Sequence, residues 1–173
     1  SALALIGQSR YEAAAAEIEQ ALVLAPSDSM LHTNAGCVAW ALGDDERMAA
    51  ELDQAAAVAG DDPTAATNLA TAWIAKGRAA EAVALLERLS ERYRKNEVVT
   101  FHLGLAYLAD ALTLYRPDMS RTERQDFFRA LHRAVRPLDA VSINTSACSY
   151  EALANLGLYR YLRQQYEEAL QAF

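Results

Sequence analysis

The chain repeats itself every 34 residues, and that interval constrains its fold more than any total does. Set "LHTNAGCVAWALGDDERMAAELDQAAAVAGDD" (31–62) against "AATNLATAWIAKGRAAEAVALLERLSERYRKN" (65–96). Thr33 falls on Thr67, Asn34 on Asn68, Gly43 on Gly77, Leu52 on Leu86 and Ala55 on Leu89. One interval earlier, Ile18 and Ala21 stand in the columns of Leu52 and Ala55. One interval later, His102 takes the position of Asn34, and Gly104 that of Gly36. Self-similarity at such a period means one supersecondary unit stacked on copies of itself, each unable to bury its apolar face alone.

The unit is a pair of helices. Apolar residues recur at helical spacing, alanine is abundant, and no run of alternating β-branched residues interrupts them, so the fold class is all-α. The 173 residues hold only seven glycines and four prolines, and the repeat gives each glycine a place. Gly36, Gly104 and Gly157 fall in one column of the first helix, where a missing side chain admits a neighbouring helix. Gly43 and Gly77 fall between the two helices, where a turn needs positive φ, with Gly7 near the same turn of the first unit. Gly60 lies between units, close to Pro63. None remains for a phosphate loop, and there is no Gly-x-x-x-x-Gly-Lys.

A 34-residue unit of this kind resembles the tetratricopeptide repeat family. The resemblance rests on "LGLAY" (103–107), "NLG" (155–157), "YEEALQAF" (166–173) and "YEAAAAEIEQALVLAP" (11–26), taken in register. It implies an α-α superhelix of helix-turn-helix repeats forming one domain over 1–173. The units fall at about 1–28 (partial), 29–62, 63–96, 97–149 (enlarged) and 150–173 (partial). The first residues read as the middle of a helix and the last stop inside another, so the sequence reads as a fragment of a longer chain.

Residues 113–149 depart from the pattern. Pro117 stops a helix, and Ser120 with Glu123 spells a capping box that starts a new one near Arg121. On that helix Phe128, Leu131, Val135 and Leu138 share an apolar face, while Arg129, Arg133 and Arg136 share another, and Pro137 ends it. Residues 113–139 carry six Arg against four acids in a chain of net charge −7. The Arg face is either solvated or a dock for an acidic partner.

In the family that the chain resembles, the first helix of each unit lines a concave face. The corresponding rows here are Thr33, Asn34, Cys37 and Trp40, then Thr67, Asn68 and Thr71, then Phe101, His102 and Leu105, then Asn155, Leu158 and Tyr161. An Asn amide can both donate to and accept from a peptide backbone whatever its side chains, and the resemblance implies that role for Asn34, Asn68 and Asn155. Three such bonds at about 1 kcal/mol each give on the order of 100-fold in affinity. Apolar anchors must add to that, with Trp40, Phe101 and Tyr161 the candidates and Trp73 assigned to the core. The Lys and Arg clamp of the chaperone-binding subgroup is absent from these rows, which points to an internal segment rather than an acidic C-terminus.

Catalysis finds no support. Three scattered His, two Cys (Cys37 and Cys148) and no HExxH, paired CxxC or Gly-x-Ser-x-Gly leave no catalytic residue, metal site or cofactor to name. The expected function is a non-catalytic scaffold holding a protein or peptide segment in its groove. Fourteen Arg against two Lys, with so much Ala, fit a GC-rich bacterial genome, and an assembly, secretion or export complex follows as the expected setting. The negative charge argues against a nucleic-acid partner. No apolar run reaches the length of a membrane span, so direct membrane insertion is not expected, and a soluble fragment, cytoplasmic or periplasmic, is. Two alternatives stay open: the substrate-presenting region of a larger enzyme such as a glycosyltransferase, and homo-oligomeric assembly through the C-terminal end, where Leu170 and Phe173 need a neighbour.

Overall fold

The computed structural model describes residues 10–142 and 154–164. Among these, every regular element is a helix: α1 (Tyr11–Leu24), α2 (Ser29–Ala41), α3 (Asp45–Ala59), α4 (Pro63–Ala75), α5 (Ala79–Arg92), α6 (Glu97–Thr113), α7 (Arg121–His132), α8 (Val135–Ser142) and α9 (154–164). The helices beginning at 29, 63 and 97 start 34 residues apart, as do those beginning at 11, 45 and 79. Local chemistry sets these starts. Asp28 and Asn96 cap α2 and α6 by accepting from backbone N–H groups of the first turn, and Asp62 does the same ahead of α4. No described helix is long and apolar enough to cross a membrane.

The chain divides into two compact units, Ser1–Trp73 and Ile74–Phe173, and the division falls within α4 rather than at a repeat boundary. In the first unit Ala14 and Ile18 of α1 pack with Ala35 and Val38 of α2. Small residues let the helices close: a Cβ placed on Gly36 would stand 2.9 Å from the Leu52 side chain of α3. Gly43 and Gly77 turn the chain at φ 79° and 74°, a conformation that L side chains resist. Trp73 is buried.

The second unit is built around α6, which runs 17 residues to Thr113, past the point where the repeat would start its second helix. Pro117 follows, and α7 begins at the Ser120–Glu123 capping box with both reciprocal bonds formed. The apolar stripe differs from the one the sequence indicates. Phe127, Leu131, Ala134, Leu138 and Val141 are the fully buried set, while Phe128 and Val135 lie at its margin. Pro137 also acts differently. It does not end the helix but occupies the first turn of α8, where its missing N–H costs nothing. The break falls four residues upstream at Arg133–Ala134, because the Pro ring can neither bond nor clear the carbonyl of residue 133. α8 then docks on α6, and a Cβ on Gly104 would stand 2.7 Å from the Leu138 side chain. The third glycine of that column, Gly157, has no described atom within 4 Å of such a Cβ.

Candidate functional site

The first helices turn a common column outward. Met30, Cys37 and Ala41 of α2 are exposed at i, i+7 and i+11, with Asn34 half-buried at i+4. The equivalent Thr64, Asn68, Thr71 and Ala75 of α4 are all exposed. On α6 the same positions are Val98, His102, Leu105 and Ala109, of which Val98 alone is exposed. His102 is half-buried and its Nδ1 lies 2.8 Å from the Val98 carbonyl oxygen of the preceding turn. On α9, Asn155 is half-buried and Leu158 and Tyr161 are exposed.

One column assigned to the groove is packed inside. Thr33, Thr67 and Phe101 are 5%, 3% and 7% exposed, which withdraws them from a surface a partner reaches. Each precedes its Asn or His by one residue, and a helix turns about 100° per residue. The threonine hydroxyls are satisfied locally, by the carbonyls of Ser29 and Thr64. Phe101 joins the core of the second unit, and Leu105 packs against that core. Trp40 behaves oppositely to Trp73 and stands 51% exposed at the end of α2.

The Arg face separates into three different situations. Arg129 is exposed and paired with Asp126 at 3.0 Å. Arg133, also exposed, donates to Glu87 of α5 at 2.9 Å, and its guanidinium lies 4.2 Å from the centre of the Tyr107 ring. Arg136 faces a cleft of about 1000 Å³ in the second unit. Thr100, Leu103 and Tyr107 of α6 line that cleft, with Arg94 beyond the end of α5 and Arg136 and Asp139 of α8. The Tyr107 hydroxyl donates to Glu87 at 2.7 Å. Burial, then the hydrogen bond and charge of Glu87, raise the phenol above its ordinary 10.0 against the opposing pull of Arg133.

A charge cluster around the buried His32 of the first unit escaped the sequence reading. His32 lies between the Glu51 carboxylate, 2.8 Å from Nδ1, and the Pro26 carbonyl, 3.0 Å from Nε2. A carbonyl and an ionised carboxylate only accept, so both ring nitrogens donate, which is the imidazolium form. Burial pulls its pKa down, but the Glu51 and Pro26 hydrogen bonds and the charges of Glu51 and Asp28 outweigh this and raise it above 6.5. Arg47 extends the cluster to Glu19 of α1 at 2.7 Å and lies 3.9 Å from Glu51. Because the folded pKa is raised, the stabilisation is complete below about pH 6.5 and is lost as pH rises through the folded value. We expect wild type to lose urea stability relative to His32→Gln as pH rises above the ordinary histidine value of 6.5. Parallel pH profiles for the two proteins would refute the assignment.

Residues 166–173, with Leu170 and Phe173, lie outside the described residues, as do Gly7 and Cys148. With the geometry in view, the comparisons fix the architecture. A solved structure, the human IFIT1 dimer with m7Gppp-AAAA, matches with a TM-score of 0.60 at 14% identity. The match covers 88% of this chain and 35% of that one. The fold is that of a helical-repeat protein. The chain spans about a third of the length of this neighbour, itself a tetratricopeptide-containing helical-repeat protein. No family model matches the sequence, and no curated protein does.

This comparison overturns one expectation. The exclusion of a nucleic-acid partner does not stand, because a helical-repeat protein of similar fold is solved with the capped oligonucleotide m7Gppp-AAAA. The physical error lies in using net charge. A sum over 173 residues says nothing of local potential, and here the lining of one cleft holds three Arg within a chain of −7.

Proposed function

We propose that the chain is a non-catalytic helical-repeat scaffold that binds protein segments on the outward first-helix columns, those of each unit taken by themselves. The exposure of Trp40 carries the reading. A large aromatic half in solvent at the end of α2, beside exposed Cys37 and Ala41, is the composition of a binding hot spot. Asn68 and Thr71 on α4, and Asn155, Leu158 and Tyr161 on α9, present amides and apolar surface of the same kind. Thr71 already gives its hydroxyl to the Thr67 carbonyl, which leaves Asn68 as the amide contact of its helix. The excess of Arg over Lys supports a bacterial setting in an assembly, secretion or export complex.

The test is direct. A partner captured by the wild-type chain from its host's lysate is titrated against the Trp40→Ala variant. Loss of a hot-spot residue costs at least about 2 kcal/mol, or roughly 30-fold in Kd. A partner bound equally well by both proteins would show that binding lies elsewhere.

A further inference from the structure

The cleft in the second unit is separate from the first-helix columns. Thr100, Leu103 and Tyr107 form its floor on one face of α6. By helical geometry this is the side of α6 opposite His102 and Leu105. The stretch that breaks the repeat supplies one wall, through Val135, Arg136 and Pro137 at the start of α8.

Its charge is concentrated and only partly spent. Among the described residues the lining carries three Arg against one acid, Asp139. Arg133 is compensated by Glu87 and lies over the Tyr107 ring. Arg94 gives only its Nε–H, to the Glu91 carbonyl at 3.3 Å. Neither Arg94 nor Arg136 forms an ion pair among the described residues. Two guanidinium groups thus flank a cleft whose remaining surface is largely apolar, through Leu103, Val135 and Pro137.

We propose that this cleft binds an acidic peptide segment, with Arg94 and Arg136 taking its carboxylates and the apolar walls taking an intervening aliphatic side chain. A volume of about 1000 Å³ admits several residues in extended form. Guanidinium groups pair with carboxylates through paired N–H donors, a geometry that a lysine lacks. An oligonucleotide has fewer stacking faces here, because the Tyr107 ring carries the Arg133 guanidinium 4.2 Å from its centre.

The experiment is fluorescence anisotropy on the 173-residue chain with a labelled octapeptide of alternating Glu and Leu. Its Gln/Leu counterpart and an octa-adenylate serve as competing probes. The Glu/Leu peptide binds saturably, and Arg94→Gln and Arg136→Gln each weaken it by about tenfold. Arg129→Gln, whose site lies outside the cleft, leaves it unchanged, and circular dichroism shows all three variants folded. Absence of saturable binding, equal binding of the Gln/Leu peptide, or an equal loss with Arg129→Gln overturns the proposal. So does tighter binding of octa-adenylate that is lost with the same two Arg, which would make the cleft a nucleic-acid site.

Discussion

Replacing Phe127 by Ala will destabilise the protein by about 3–5 kcal/mol, a large share of the 5–15 kcal/mol that holds a typical domain folded. Phe127 is 1% exposed, and its ring contacts Tyr115 and Phe128 at centroid distances of 5.7 and 4.9 Å. It belongs to the cluster that joins α6, α7, α8 and α9. Truncation removes the transfer energy of the ring and leaves a cavity that four helices cannot all close. Phe128 offers the internal comparison, because it is chemically identical, adjacent and only half-buried. Urea denaturation should therefore rank Phe127→Ala well below Phe128→Ala. A reversed order would mean that the α7 stripe runs where the sequence alone places it.

The second large effect changes sign with its background. Gly104→Ala gains up to about 1 kcal/mol of helix propensity, yet its Cβ would stand 2.7 Å from Leu138 Cγ and 3.4 Å from the Leu138 backbone nitrogen. The clash falls on Leu138 Cγ, the branch point of the side chain, which cannot swing clear as a terminal methyl could, so overpacking at about 1–3 kcal/mol prevails and the variant is less stable. Leu138→Ala alone costs about 2–5 kcal/mol as a cavity. In that background the methyl of Gly104→Ala enters vacated space and keeps its propensity gain, so it stabilises. A double-mutant cycle by denaturant unfolding reads the coupling. Additive effects would show that α6 and α8 are not packed through this pair.

These two positions also mark how far the sequence could be read. The 34-residue interval is legible because it is carried by residues with few alternatives: capping Asp28 and Asn96, turn-forming Gly43 and Gly77, and close-packed Gly36. The capping box of Ser120 and Glu123 is legible for the same reason, since its spacing and its bonds are one fact. The α7 stripe is not, because Phe127 and Phe128 are neighbours and either satisfies an apolar pattern. Packing chose the first. Thr33 and Thr67 show a related ambiguity: a hydroxyl that bonds its own helix tolerates burial, so a polar residue type does not report exposure. The partners of His32 come from the loop before α2 and from α3, and no local motif records that meeting. Charge misled for a different reason, since it was summed where it acts locally.

The two inter-helix turns are the same turn. Gly43 donates its N–H to the Trp40 carbonyl and Gly77 to the Ile74 carbonyl, the glycines at φ 79° and 74°. Such equivalence makes the chain easy to recombine. A crossover that joins the codon for one glycine to the codon for the other adds or deletes a full period of coding sequence, and the junction it leaves is a turn the protein already makes. Inheritance by duplication requires seams of this kind, and a gene that has them can change length without inventing a new connection.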